Sequence, residues 1–180
     1  MNRWQKVGCL YTVFFLVSGC SSGPKKKPDT VLQLSIQATQ VINSDSSGQA
    51  SPLQLRLYEL NSTELFRQTD FLDLFSNDTA VLQSTLVSKH YLPTAWPGMT
   101  KTLTFTLNPE TTSVAIVGEF AQYLSATTKA STTIIEGKSN HLKLVIEDNR
   151  IRLQPTTARL RFVPLPLISL PQTVGSCCEQ

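Results

Sequence analysis

Among the reactive side chains of this sequence, the thiol of Cys20 has the most informative setting. It lies in FFLVSGCSSG, Phe14–Gly23, where an apolar run gives way to Ser-Gly-Cys and then to small polar residues. A core helix has no need of a cysteine at its end. A processing signal that leaves a cysteine at a new N-terminus does, because its sulphur and its amine can both carry acyl chains. The other thiols are less telling. Cys9 falls within the apolar run, and the adjacent Cys177 and Cys178 could close only a strained ring. With no His or Asp at ligand spacing, that pair reads as part of a polar tail or as an intermolecular disulfide in an oxidising compartment. His90 and His141 are far apart, each without a carboxylate or cysteine at ligand spacing, and Glu147-Asp148 sits in EDNR, which reads as a polar turn. There is no G-x-S-x-G elbow, since the one match, Gly19–Gly23, spans Cys20 at the end of the apolar run instead of a strand-to-helix turn, and H-E-x-x-H, G-x-G-x-x-G and the P-loop do not occur. Nothing in the sequence asks for an enzyme, a metal or a diffusible cofactor.

The residues around Cys20 extend the first observation. Arg3 and Lys6 supply positive charge, Val7 to Val17 form the apolar run, and Ser18-Gly19 are small, which is the layout of a secretory signal peptide over residues 1–19. The run is about eleven residues, well short of the roughly 20 needed to cross a bilayer as a helix. Val17-Ser18-Gly19-Cys20 resembles the bacterial lipobox: a branched aliphatic residue, two small residues, then the cysteine that is acylated as the bond before it is cut. Each buried methylene contributes about 0.8 kcal/mol, so several chains on one cysteine would anchor the protein effectively permanently. Ser21 stands where an Asp would be expected for retention at the inner membrane. The expected location is therefore the outer membrane of a Gram-negative cell, facing the periplasm.

Loss of residues 1–19 removes Arg3 and Lys6 from 16 basic residues, leaving 14 against 13 acids and a formal charge of +1. That balance gives no reason to expect nucleic acid as a partner. Lys25-Lys26-Lys27 lies in SSGPKKKPDT, Ser21–Thr30, a flexible tether by composition. The trio reads either as a solvated spacer or as a weak attraction to anionic head groups.

One further segment invites a binding role. Asn43, Ser44, Asp45, Ser46, Ser47, Gly48, Gln49, Ala50 and Ser51 form a nine-residue polar connection between what read as the first two strands. Hairpin loops are usually two to five residues. Lengthening a loop is cheap, yet long loops on a rigid scaffold are also where binding is commonly placed.

The elements that must hold this loop are strands. Leu32, Leu34, Ile36 and Ala38 alternate with polar residues, as do Leu53, Leu55 and Leu57 against Gln54, Arg56 and Tyr58. Leu103, Phe105 and Leu107 alternate with threonines, and Leu142, Leu144 and Ile146 repeat the pattern before a short strand at Ile151 and Leu153. Val114–Val117 is continuously apolar, which suits a strand covered on both faces, and the β-branched residues 132–135 are a weaker candidate. Six or seven strands within residues 31–153 make an all-β sandwich behind a lipidated tether at residues 20–30. The period breaks at 69–87, where Thr69 could cap a helix with Phe71, Leu72 and Phe75 on one side. Asp78 could cap a second, with Val81, Leu82 and Leu86 inward. Residues 154–180 hold four of the ten prolines and read as a tail that could pair only at a sheet edge.

The blocks SPLQLRLYEL (51–60), LFRQTDFLDLFSND (65–78), VLQSTLVSKHYL (81–92), PGMTKTLTF (97–105) and VAIVGEFAQY (114–123), behind a lipobox, resemble the outer-membrane lipoprotein family of type VI secretion, called TssJ or VasD/SciN. The resemblance spans roughly residues 31–150. It implies a transthyretin-like β-sandwich with a small helical addition. It also implies a structural role in the membrane complex of a contractile secretion machine. The partner it implies is the periplasmic domain of the inner-membrane protein TssM, held through the loop between the first two strands, here Asn43–Ser51. TssL would be involved only indirectly, and other copies of the chain would complete a ring that adds avidity. Two features depart from the family pattern: the proline-rich residues 154–180, and a loop with one acid, Asp45, and no aromatic anchor. Independently of the resemblance, a sandwich with 41% apolar residues could instead open at one end and carry a small apolar ligand.

Overall fold

The computed structural model describes residues 27–156. The expected signal peptide, Cys20, most of the expected tether, the tail beyond Thr156 and Cys177-Cys178 lie outside that range. Eight strands form two four-stranded sheets. The first has the order β4 (Thr100–Leu107), β1 (Thr30–Ile42), β7 (Ser139–Asp148), β8 (Arg150–Pro155). The second has the order β3 (Leu86–Tyr91), β2 (Leu55–Leu60), β5 (Ser113–Gly118), β6 (Lys129–Thr133). β1 pairs antiparallel with β4 and parallel with β7, with Leu34 opposite Leu103 on one side and Leu142 on the other. That register puts the alternating leucines of three strands on one face. Leu32, Leu34, Ile36, Leu144 and Ile146 are fully buried there against Leu55, Leu57, Val114 and Ile116 of the second sheet. These side chains fill the space between the sheets where a carried ligand would have to sit.

The outer faces of the sheets differ. On β1 the polar residues between the leucines remain partly or wholly exposed, as alternation predicts. On β2 all six residues are buried, so the expectation that Arg56 and Tyr58 would be wet is corrected. The reason is a helical layer: α1 (Glu64–Gln68) and α2 (Phe71–Leu82) lie over this sheet and form a second core with Phe66, Leu74 and Leu82 against Tyr58, Ala115 and Val117. The continuous apolar run in β5 is explained by the same burial on both faces.

The helical insertion also differs in detail from the sequence reading. It starts earlier, at Glu64, and is followed by a 3-10 turn over Gln83–Thr85 and by strand β3 at the sheet edge, where the reading had helix to Val87. Asp70, not Thr69, occupies the cap position of α2, while the Thr69 hydroxyl donates back to the Leu65 carbonyl at 2.7 Å. A break does occur near Asp78, because Asn77 leaves the helical region (φ −151°, ψ 49°) and kinks α2. Asp78 itself is buried instead of capping in solvent. The inward residue of the first turns is Leu74; Leu72 and Phe75 face out. β6 spans Lys129–Thr133, a few residues before the stretch 132–135 that its β-branched content suggested.

Candidate functional site

The loop between β1 and β2 is a built structure from its first residue. Asn43 is buried and takes a positive φ of 47°, a conformation that Asn tolerates because its short polar side chain can bond locally. Its backbone N–H donates to the Asp148 carbonyl (2.9 Å), its Nδ2 donates to the Pro52 carbonyl (2.8 Å), and its Oδ1 accepts from the Ala121 N–H (2.8 Å). One residue thus ties three connections together: the β1–β2 loop, the β5–β6 loop and the β7–β8 turn. Ser44 is buried beside it, and its carbonyl accepts from Asn149 Nδ2 at 3.4 Å. The β5–β6 loop is held further by the Glu119 N–H on the Gln54 carbonyl (2.9 Å) and the Thr127 N–H on the Asn149 carbonyl (2.9 Å).

Beyond Ser44 the loop turns out into solvent, and Asp45 through Gln49 are exposed. Asp45 organises this tip. Its Oδ1 accepts from the Ser47 N–H (2.8 Å), the Ser47 hydroxyl (2.7 Å) and the Gln49 N–H (3.0 Å). Its carbonyl accepts from the Gly48 N–H (3.0 Å), and Gly48 has φ +80°, where a side chain would be strained. The Ser47 hydroxyl, with further hydrogen bonds from the loop backbone, holds the Asp45 carboxyl below its ordinary range. The tip therefore presents Ser46, Ser47 and Gln49 as an ordered polar surface, with Ala50 and Ser51 half-buried behind it. Of the nine residues expected to bind, Asn43 and Ser44 face inward and support, and Asp45 shapes the others.

Beside this loop, an exposed apolar ledge joins the β5–β6 loop to α2. Phe71 stacks on Tyr123 (centroids 5.3 Å) and leans on Phe75 (5.8 Å). Leu72, Phe75 and Leu124 are 51%, 47% and 88% exposed. Two adjoining open clefts of about 460 and 330 Å³ share Phe71, Leu72 and Tyr123, and their walls include Asp70, Asp73 and Glu119 but no basic residue. Arg56 fixes the ledge from beneath. Its Nε donates to Glu119 (2.6 Å), its Nη1 to Asp78 (3.1 Å) and its Nη2 to the Phe75 carbonyl (3.2 Å), so one guanidinium binds the β5–β6 loop to α2. Asp78 also accepts from the Tyr58 hydroxyl (2.9 Å) and from Lys89 (3.0 Å). Burial alone would push the Asp78 carboxyl up, but the hydrogen bonds from Lys89 and Tyr58 and the adjacent Lys89 charge bring it down to about 2. Burial raises the Tyr58 hydroxyl.

The remaining candidates are scattered. The His90 Nε2 lies 2.7 Å from Glu59 Oε1, while Glu59 Oε2 accepts from the Asn108 N–H (2.8 Å) and the Thr111 hydroxyl (2.7 Å). This pair links β2 and β3 to the β4–β5 connection, with the His90 ring against Phe105. His141 pairs with Gln33 in solvent (2.8 Å), and Glu147 pairs with Arg152 (2.6 Å) at the β7–β8 turn. Among the described residues, no group of three His, Cys, Asp or Glu side chains could hold a metal ion.

Residues 30–149 match the family model described as type VI secretion lipoprotein, VasD, EvfM, TssJ. The chain belongs to this family. Its matched span runs from the first residue of β1 to the β7–β8 turn, so seven of the eight described strands and the β1–β2 and β5–β6 loops fall inside it. Among solved structures, the type VI lipoprotein TssJ1 from Pseudomonas aeruginosa is similar at 26% identity and TM-score 0.69, over 73% of this chain and 99% of that one. Lip from Serratia marcescens, a membrane-bound component of the type VI secretion system, aligns at 19% identity and TM-score 0.61, over 72% and 99%. A chain in the structure of the TssM C-terminal domain from EAEC aligns at 16% identity and TM-score 0.55, over 70% and 98%. The last two likenesses concern the fold alone. A comparison with curated protein sequences finds no match.

Sequence reasoning did not find the Arg56–Asp78 cluster or the ledge. The legible traces of the ledge are Phe71, Leu72 and Phe75, read as one side of a helix, and Tyr123-Leu124, two large apolar residues in a stretch that is otherwise turn-like. The cluster left no trace, since Arg56, Asp78, Lys89 and Glu119 are brought together only by the packing of α2 on the sheet.

Proposed function

We propose that this type VI secretion lipoprotein is cut before Cys20, acylated there, held at the inner leaflet of the outer membrane, and grips the periplasmic domain of TssM through the exposed tip of the Asn43–Ser51 loop. The observation that carries this reading is the polarity of β1. The chain enters the sandwich at Thr30 and reaches Asn43 after thirteen residues of strand, roughly 40 Å away. Thr30, where the tether would enter, and the loop thus lie at opposite poles of the sandwich, which is the arrangement a link between two membranes would use. The family match and the occurrence of a chain of this fold in the TssM C-terminal domain structure support the choice of partner. The role is structural, with no catalytic step. Copies in a ring would multiply a modest contact by avidity.

The test is co-purification of TssM from detergent-solubilised envelopes. Tagged wild type should bring TssM with it, and Ser46→Arg with Gln49→Arg, both exposed, should reduce recovery at least about tenfold. Equal recovery would rule out the loop. In parallel, Cys20→Ser should lose labelled palmitate and leave the membrane fraction.

A further inference from the structure

We propose that the apolar ledge of Leu72, Phe75, Tyr123 and Leu124 is the second half of the partner interface, taking an apolar side chain of the TssM periplasmic domain that is flanked by basic groups. This rests on the reading above that the β1–β2 loop faces TssM, and names the chemistry that would make the contact strong. The loop tip offers only serines, Gln49 and one shaped acid, with no large side chain to fill a pocket. Interfaces draw most of their energy from a few large, desolvated anchors, so a polar tip can set register but needs an anchor site nearby. The ledge is that site by position. The Asn43 amide bonded to the Ala121 N–H holds the loop against the segment that carries Tyr123 and Leu124. The surface is also unusually apolar for solvent, with Leu124 88% exposed.

Its charge selects the occupant. Asp70 and Asp73 flank the clefts, Glu119 is already satisfied by Arg56, and no basic residue lines either cleft. An apolar group arriving with Lys or Arg beside it would meet complementary charge, whereas an acidic partner would be repelled. Rigidity favours binding as well. Phe71 is stacked on Tyr123, and Arg56 pins both walls, so little order is lost on docking.

The experiment measures binding of the purified, full mature lipoprotein to the isolated TssM periplasmic domain by biolayer interferometry. Three variants are compared with wild type: Leu72→Ser with Leu124→Ser, Asp73→Lys, and the loop pair Ser46→Arg with Gln49→Arg. Unchanged circular dichroism and melting temperature verify folding. The ledge pair should weaken binding about tenfold or more, and Asp73→Lys should weaken it less while flattening its dependence on salt. If the ledge pair binds as wild type while the loop pair fails, the ledge proposal is overturned and the loop reading stands. If wild type itself does not bind, the choice of TssM is wrong and both fall. A wild type that dimerises, with the ledge pair monomeric, would give the ledge to a second copy. Tighter binding after truncation at Thr156 would give it to residues 157–180. Either result overturns the proposal.

Discussion

The loops at the Asn43 pole and the entry of the tether at the Thr30 pole are held by different means. At the Asn43 pole the ties are buried and polar: Asn43 joins three connections, and Arg56 joins the β5–β6 loop to α2 and Asp78. At the Thr30 pole Glu59 and Asn140 are also buried and hydrogen-bonded, but the entry of the tether itself is held lightly. Lys27 pairs with Glu136 at 3.0 Å with both side chains largely exposed, and the Thr30 hydroxyl accepts from the Gly137 N–H at 2.8 Å. The contrast fits the work proposed for each end. A surface that must be recognised keeps its shape before the partner arrives, which lowers the ordering cost of binding. An end that continues into a tether, as proposed, needs only to be attached.

Five measurements would sharpen or break that contrast. The largest effect is expected at Asp78. Asp78→Ala leaves the Arg56 charge buried with one partner fewer and should cost about 3 kcal/mol in urea unfolding, whereas an unchanged midpoint would mean the cluster is not a structural tie. The same group gives a pH signature. Its folded carboxyl titrates at about 2, below its ordinary 3.8. The stability it contributes is therefore complete above the unfolded value and is lost as pH falls from about 4 towards 2, on the order of 2 kcal/mol. Asp78→Asn should flatten that part of the stability profile. Next is Asn43→Ala, which removes an acceptor and a donor from part-buried backbone groups and places Ala at a positive φ; about 2 kcal/mol is expected. Asp45→Ala should leave global unfolding unchanged but speed amide hydrogen exchange at Ser47 and Gln49, whose N–H groups it holds. Smallest is Glu136→Ala at the other pole, within about 0.5 kcal/mol of wild type. A cost there equal to that of Asn43→Ala would erase the distinction between the poles.

The sequence was most legible where one physical rule acted alone. β1 and β7 each have one face on the core and one facing out, so their alternation read directly as strands, and the turn at EDNR followed. β2 obeyed two rules at once. Arg56 and Tyr58 look like the wet side of a strand, but helices cover that side and a carboxylate from α2 neutralises the arginine. β3 was missed for a related reason: as an edge strand it has no fully buried residue and so no strong alternation. In α2, ahead of the kink at Asn77, the inward residue is Leu74 and the aromatic side is left to form the ledge. For the candidate site, length and polarity located the β1–β2 loop. They could not separate Asn43, which supports it from within, from the exposed residues at its tip.

The division of labour between the poles can be read most directly by photo-crosslinking in living cells. A photoreactive residue is placed at Ser47 on the loop tip in one strain and at Glu136 beside the tether in another. The account predicts a TssM adduct from position 47 and none from position 136. A TssM adduct from 136 with silence at 47 would contradict it.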